Sequence, residues 1–236
     1  MTYDPALLHV VDNAATAARV LYHLLGPPGE EPLVSLDTET TGCNPKKQSP
    51  VGRAQVWCMT LAWRMDDAIA TAFVTADWVG AFRAWLECAA YRKVGGNISG
   101  YDRHGLHNSG IKLRGIHGDV QRMSKLINPA NFEDDGEGGV ARVKRDLKTQ
   151  AGALGMQMAH YGDTVATVWN GKERAATKKN GSCTPINFDK RGMSDVQTLW
   201  QSEWRRPGII RYAVEDAVAG LLVFEDLERK LQGVAW

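Results

Sequence analysis

A short apolar strand that ends in two carboxylates constrains this chain more than any other segment. Residues 33–36 (LVSL) run into Asp37-Thr38-Glu39, and Thr41-Gly42 then ends the strand. Because strand side chains alternate between the two faces of a sheet, Asp37 and Glu39 point the same way. Two adjacent carboxylates repel each other, and a bound divalent cation would reverse that effect. A solvated acidic strand end is the alternative, and for D-x-E by itself it is the stronger one.

The composition is typical of one sizeable globular domain. The chain has 236 residues, 44% of them hydrophobic, which is enough to bury a core. A net charge of +1 creates no overall field that would attract nucleic acid, so such binding would need local patches. The cysteines are far apart, do not have the spacing of a zinc site and fit a reducing compartment: Cys43, Cys58, Cys88 and Cys183.

The chain shows neither a signal peptide nor an apolar run of the ~18 residues that a membrane-spanning helix needs. We therefore expect a soluble, cytoplasmic protein with no membrane partner.

Apolar periodicity along the chain predicts alternating strands and helices. Strands are expected at the carboxylates, over residues 55–63 with a hairpin partner at 69–74, and near 93–96 and 116. Helices are expected over 10–25, 77–90, 101–109, 119–127, 142–168 (as two helices broken near Gly152 to Gly155), 193–205 and 208–231, with loops at 129–139 and 170–192. This order predicts an α/β domain with a mixed five-stranded sheet and helices on both faces. We expect a single domain over 1–236, with a helical extension over about 1–30 and a core over about 33–230.

Two further carboxylates lie where helix geometry gives them a defined direction. Asp102 follows Asn97 and Tyr101 and lies in the first turn of a helix, where the helix dipole stabilises a negative charge. Asp216 follows Tyr212 by four residues, so the two side chains share one helix face beside a stripe of small and apolar residues.

Each of these carboxylates has a structural alternative. Asp102 could be only an N-terminal helix charge. An ionised Asp216 beside a core needs a partner, and Arg211 or Arg103 could provide it. Asp119 is interpreted as a helix cap, and Glu215 is expected to face solvent.

Together these motifs resemble the DEDD, or DnaQ-like, 3′–5′ exonucleases. The pattern D-x-E, then N-x-x-x-Y-D, then Y-x-x-x-D covers roughly residues 33–230 and is most similar to the proofreading exonuclease domain of bacterial DNA polymerase I. The tyrosine four residues before Asp216 is typical of the DEDDy subtype. The second motif has one residue more between Asn97 and Tyr101 than is usual in the polymerase I relatives. The resemblance implies a ribonuclease H-like fold.

The resemblance also implies a mechanism and its residues. Asp37, Glu39, Asp102 and Asp216 would bind two divalent metal ions, Mg²⁺ or Mn²⁺, with Asp37 bridging them, and Tyr212 would orient the attacking water. The reaction would release nucleoside 5′-monophosphates from the 3′ end of single-stranded nucleic acid.

Substrate-binding residues are also expected from the resemblance and from charge. The resemblance implies that the backbone at Thr40 and Thr41, and the side chains of Asn97 and Leu106, bind the terminal nucleotide. Residues 140–192 hold ten lysine and arginine side chains against four acidic ones, among them Arg145 and Lys148, and we expect them to line the incoming strand. An exposed helix and a solvated loop are the alternative.

We therefore expect a stand-alone 3′–5′ exonuclease that acts on DNA in replication or repair, with a separate polymerase as a candidate partner. An exoribonuclease of the same family and a non-catalytic nucleic-acid-binding module are the two alternatives. A binding module would tend to lose a metal carboxylate, and this chain keeps all four.

Overall fold

The computed structural model describes residues 4–27, 29–40, 55–130, 132–134, 140–158, 168–169, 172–173, 200 and 206–233. Its strands are β1 (Leu8–Val11), β2 (Val34–Thr40), β3 (Val56–Met65), β4 (Ala68–Thr75), β5 (Lys93–Gly95), β6 (Ile116–Asp119), β7 (Phe132–Asp134), β8 (Val140–Arg142), β9 (Val168–Trp169) and β10 (Lys172–Glu173). Its α-helices are α1 (Ala14–Leu25), α2 (Ala76–Val79), α3 (Arg83–Glu87), α4 (Asp102–Asn108), α5 (Val120–Ile127), α6 (Leu147–Ala153) and α7 (Arg206–Leu231).

The first six strands form one mixed sheet in the order β1-β4-β3-β2-β5-β6. Strands β2, β3 and β4 pair antiparallel, as a hairpin-rich start of the chain should. The outer pairs β1–β4, β2–β5 and β5–β6 are parallel. This mixed α/β architecture is the ribonuclease H-like fold class that the resemblance implied.

The sheet has six strands rather than the predicted five, because part of the N-terminal extension joins it. The predicted helix over 10–25 begins only at Ala14, where the side chain of Asn13 accepts a hydrogen bond from the Thr16 amide. Before it, Leu8–Val11 pairs with β4, so the extension over about 1–30 is not purely helical. The four residues of Leu8–Val11 lack the alternation of polar and apolar side chains that predicts a strand. They become one because the edge of β4 is free to pair with them.

Helices cover both faces of the sheet, each over its own core. One core holds the apolar side chains of α1 to α4, with Trp63, Phe82 and Trp85 among its largest members. The other lies beneath α5, α6 and α7. Its largest side chains include Phe73 and Phe224. The two faces matter for function because α4 and α7, which carry different motifs, approach β2 from opposite sides.

The later part of the chain departs most from the predicted elements. Residues 142–168 were predicted to form two helices broken near Gly152 to Gly155. Helix α6 covers Leu147–Ala153, and the break follows it at Gly155, which takes a left-handed φ of 76°. Residues 159–167 lie outside the described residues. The predicted loop over 129–139 contains β7, which pairs antiparallel with β8. The predicted helix over 193–205 lies outside the described residues, apart from Trp200. No helix among the described residues is long and apolar enough to cross a membrane.

Candidate active site

Strand β2 carries Asp37 and Glu39 on the face of the sheet that α7 covers. In the ladder with β3, Asp37 lies opposite Thr60 and Glu39 opposite Cys58, and the register shifts just after Glu39. Oxygen atoms of Asp37, Glu39 and Asp216 all lie within 4.8 Å of one another. Two residues on the same face of one strand therefore meet a helix residue that lies far from them in sequence.

Close packing of α7 on β2 brings Asp216 to this point. A Cβ atom on Gly220 would lie 2.4 Å from the hydroxyl oxygen of Ser35, so only glycine permits this approach. About two turns before Gly220, the Thr60 hydroxyl donates a 3.0 Å hydrogen bond to the carbonyl of Ala213. These contacts hold the helix against the sheet on both sides of Asp216.

Asp102 reaches the same place from the opposite face of the sheet. It opens α4, is buried, and lines a cavity of about 300 Å³ together with Asp37 and Asp216. One of its carboxylate oxygens, Oδ1, accepts hydrogen bonds of 2.7 Å from both the amide and the hydroxyl of Thr38. Asp102 is thus more than a helix N-terminal charge, although its oxygens fall outside the tight group formed by the other three carboxylates.

Burial and mutual repulsion make this cluster resist ionisation. Burial raises the pKa of Asp37 well above its ordinary value, and Asp102, Asp216 and Glu39 raise it further. Burial, then Asp216 and Asp102, raise the pKa of Glu39 to about 8. Burial raises the pKa of Asp102 to about 6, against the effect of its hydrogen bonds from Thr38. A cluster that is costly to charge by itself is one that a divalent cation would stabilise.

Tyr212 and Lys148 lie beside the carboxylate cluster. Burial, followed by the negative charges of Glu39, Asp216 and Asp37, raises the pKa of Tyr212, so the phenol stays protonated and hydrogen-bonds to Asp216. Lys148 lies on α6 with its Nζ 4.9 Å from the centre of the Tyr212 ring. Its positive charge lowers the pKa of Asp216, whose value burial nevertheless raises to about 6.

The arginine partners that sequence alone left open for Asp216 lie elsewhere. Arg211 forms an ion pair of 2.8 Å with Glu215, and Arg103 is exposed. The expectation that Glu215 faces solvent is wrong, because its side chain is buried under the arginine that neutralises it. The cap at Asp119 is confirmed, since its carboxylate accepts hydrogen bonds from the amides of Arg122 and Ser99.

The expected substrate-binding residues do not all reach the cavity. Asn97 and Lys148 line it. The hydroxyl of Thr40 lies 2.6 Å from that of Tyr101, which also lines the cavity. Leu106 is fully buried in the core beneath α4 and does not line the cavity, so its contact with the terminal nucleotide stays a prediction. Thr41 lies outside the described residues.

Arg145 has a different role from the one expected. Its guanidinium donates hydrogen bonds to the carbonyls of Asn128 and Ala130, so it fastens the segment that follows α5. Most of the basic stretch over residues 140–192, to which Arg145 was assigned, lies outside the described residues.

Sequence reasoning missed four residues that line the cavity: Gly96, Gln121, Asp146 and Leu147. Gln121 and Leu147 are near the first turns of α5 and α6, and Asp146 caps α6 through the Thr149 amide. The available signal was positional, because helices that follow strands present their first turns at one sheet edge. Thr38, which bonds to Asp102, was also missed, because the sequence shows it only as the middle residue of the D-x-E motif.

Trp200 is partly buried and packs against the core beneath α7. Its ring stacks on Phe73 with centroids 5.2 Å apart and meets Trp57 edge-on at 5.9 Å. Trp57 and Phe73 are part of that core, and Trp200 extends their aromatic cluster toward the surface.

Comparison with known proteins supports the resemblance. No family model matches the chain. The chain is 26% identical over 246 aligned residues to DNA polymerase I A of chloroplasts and mitochondria from Arabidopsis thaliana, and 25% identical to mitochondrial DNA polymerase I B from Oryza sativa subsp. japonica. Each alignment covers 99% of this chain and 22% of the relative, so the chain spans about a fifth of these polymerases.

Solved structures with the same fold include nucleic-acid enzymes. The POL domain of Pol1 from M. smegmatis, in complex with DNA primer-template and dNTP, matches with a TM-score of 0.54 over 94% of this chain and 27% of that one, at 13% identity. Trypanosoma brucei RNase D bound to GMP matches with a TM-score of 0.53 over 93% of this chain and 56% of that one, also at 13% identity. The chain thus resembles the DnaQ-like 3′–5′ exonucleases in fold and sequence, and DNA polymerase I in particular.

Proposed function

We propose that this protein is a metal-dependent 3′–5′ exonuclease of the DEDDy kind that releases nucleoside 5′-monophosphates from single-stranded DNA. The observation that carries the proposal is the meeting of Asp37, Glu39 and Asp216 within 4.8 Å, with Asp102 in the same cavity. A purely structural role does not account for this, because a cluster of buried like charges destabilises a fold.

The donor set fits two hard divalent cations, Mg²⁺ or Mn²⁺. All four candidate ligands are carboxylates, which suit these ions and not the softer metals that prefer cysteine or histidine. We propose that Asp37, Glu39 and Asp216 hold one ion and that Asp37 and Asp102 hold the other. Bound there, two such ions supply an activated water and neutralise charge that develops on the phosphate.

The remaining side chains of the site would position the substrate. Protonated Tyr212, held by Asp216, keeps a hydroxyl beside the carboxylate cluster that would orient the attacking water rather than deprotonate it. Lys148 offers a positive charge for a phosphate oxygen, and Asn97 offers an amide for the terminal nucleotide. We propose that the backbone at Thr40 and Thr41 contacts the terminal sugar.

The size of the cavity favours a single-stranded end as substrate. Its volume of about 300 Å³ is at the small end of the range for ligand sites, ~300–1,000 Å³. That volume suits one nucleotide at a time rather than a duplex, and a terminal nucleotide is easiest to free where the strand is unpaired. We propose DNA as the polymer because the sequence relatives are DNA polymerases, a separate polymerase as a partner, and the whole chain as one domain.

An exoribonuclease is the second candidate, and the fold shared with RNase D favours it. The decisive measurement compares 5′-labelled single-stranded DNA and RNA of the same sequence, with free and blocked 3′ ends, in Mg²⁺, Mn²⁺ and EDTA. We expect stepwise shortening of DNA from a free 3′ end that EDTA abolishes. Equal cutting of a blocked end would rule out the direction, and faster shortening of RNA would make the protein an exoribonuclease. Binding without cleavage would make it a binding module.

A further inference from the structure

The side chain that separates Asp37 from Glu39 in sequence also ties Asp102 to the site. Thr38 is nearly fully buried, at 3% exposure, on the opposite face of β2 from its two neighbours. Its hydroxyl and its amide both donate to the same oxygen of Asp102, each at 2.7 Å. Residues 38 and 102 are far apart in the chain, so this contact links two motifs that sequence presents as separate.

The amide of Thr38 is available to Asp102 because strand pairing stops short of it. On the side of β2 that faces β5, the amide of Val34 donates to the carbonyl of Arg92. Amides two residues apart along a strand point the same way, so the Thr38 amide lies on this side too. The β2–β5 ladder pairs only Val34 and Ser35 with β5, and the carboxylate of Asp102 stands where a continuing strand would have provided an acceptor.

We propose that Thr38 is a positioning residue that fixes the carboxylate of Asp102 through Oδ1 and leaves Oδ2 as the oxygen that would bind a divalent cation. This inference rests on the proposed function, because it concerns the ion that Asp37 and Asp102 would share. It predicts an asymmetry between the two metals. Loss of the Thr38 hydroxyl should weaken the ion held by Asp102 and spare the ion held by Asp37, Glu39 and Asp216.

The hydroxyl can be removed with little change of shape. Thr38→Val deletes the donor, whereas Thr38→Ser keeps it. Thr71→Val is a matched control, since Thr71 is also buried in the sheet and its hydroxyl has no hydrogen-bond partner among the described residues. Thr38→Cys gives a second comparison with Thr38→Ser, because a thiol of similar size is a weak donor.

The test is a Mn²⁺ binding isotherm, by calorimetry or by electron paramagnetic resonance of free Mn²⁺, on each full-length variant without substrate. We expect Thr38→Val and Thr38→Cys to weaken the weaker of two binding steps by about tenfold or more, because a hydrogen bond to a charged group contributes on that order. Thr38→Ser and Thr71→Val should stay within about twofold of the unsubstituted protein. The rate of nuclease activity at saturating Mn²⁺ should recover in Thr38→Val.

Four results would overturn the inference: an unchanged isotherm in Thr38→Val, equal weakening of both steps, equal weakening in Thr71→Val, or no Mn²⁺ binding by the unsubstituted protein. The proposed function fails differently. If the unsubstituted protein binds two Mn²⁺ ions but shortens no nucleic acid, the exonuclease assignment is wrong and the isotherms still decide the role of Thr38.

Discussion

At the scale of single residues, the site combines groups that destabilise the metal-free fold with groups that hold them in place. Asp37 is repelled by three other carboxylates, whereas Asp102 is held by Thr38 and Asp216 by Tyr212. Because the repelled carboxylates destabilise the metal-free fold, a substitution that lowers activity can raise stability.

Replacing Asp37 should abolish activity and stabilise the metal-free protein at the same time. Asp37→Asn keeps the shape of the side chain but removes the charge that the other carboxylates oppose. We expect the exonuclease rate to fall by at least ~100-fold, since metal stabilisation of the transition state is worth several kcal/mol. The Tm in EDTA at pH 8 should rise. Glu225→Gln is the control, because that carboxylate pairs with Arg64 away from the site, and it should leave the rate unchanged.

Tyr212 should matter for the rate and not for metal binding. Tyr212→Phe removes the hydroxyl that would orient the attacking water, and we expect kcat to fall by about 100-fold, the lower end of what a positioned acid–base side chain contributes. Because the pKa of Tyr212 is raised, ionisation of this phenol should not limit the rate at any pH below 10. A Mn²⁺ affinity that falls together with kcat would instead make Tyr212 part of the metal site.

At the scale of elements, the contact between α7 and β2 places Asp216. The helix can come this close because Gly220 has no side chain to meet Ser35. The contact is therefore both a packing feature and a condition for the site.

Filling that contact should move the helix. In Gly220→Ala the new Cβ would lie 2.4 Å from the Ser35 hydroxyl oxygen, and we expect a loss of about 1–3 kcal/mol in the free energy of unfolding, with lower activity. The double variant Ser35→Ala/Gly220→Ala removes the clashing oxygen and should recover much of both.

Gly152→Ala on α6 is the matched control. Nothing lies within 4 Å of the Cβ that it would introduce, so the helix should gain about 0.5–1 kcal/mol from the better propensity of alanine. Urea unfolding of the three variants measures these differences. A Gly220→Ala variant as stable as the unsubstituted protein would show that α7 can shift freely.

The elements that sequence predicted well are those with strong local signals. The β3–β4 hairpin, the cap at Asp119 and the long last helix depend on neighbours in the chain. Strand β1 was missed because its conformation depends on β4, which lies some sixty residues away. The break after α6 was predicted from the glycines near 152–155, and α6 begins later than predicted, at Leu147 behind its cap Asp146.

At the scale of the whole molecule, the carboxylate cluster couples stability to pH. The pKa of Glu39 is about 8 in the folded protein against an ordinary 4.5, and those of Asp102 and Asp216 are about 6 against 3.8. At a pH between the ordinary and the raised pKa of these groups, the cluster binds more protons in the folded metal-free protein than in the unfolded chain. The cluster's contribution to the free energy of unfolding is therefore largest below about pH 4 and falls as the pH rises through about 8.

The predicted loss of stability with rising pH can be tested without a substrate. We expect Mg²⁺ or Mn²⁺ to raise the Tm more at pH 8 than at pH 5.5, because protons compete with the metal for the same oxygens and a ligand stabilises in proportion to its binding. In EDTA, the Tm of the unsubstituted protein should fall with pH more steeply than that of Asp37→Asn. Parallel Tm–pH curves for the two proteins would show that the cluster is not the source of the slope.

The sequence by itself determined which residues could do the chemistry. Alternation along a strand placed Asp37 and Glu39 on one face, helical spacing placed Tyr212 beside Asp216, and the order of motifs gave the resemblance to DnaQ-like exonucleases. Only the tertiary structure decided how these residues meet. It brought Asp216 to the strand through close packing at Gly220, tied Asp102 to Thr38 across the sheet and turned Lys148 toward Tyr212. It also buried Leu106 and Glu215. Local patterns fix what each segment becomes, whereas contacts between distant segments depend on which sheet edges and helix faces are left to pack.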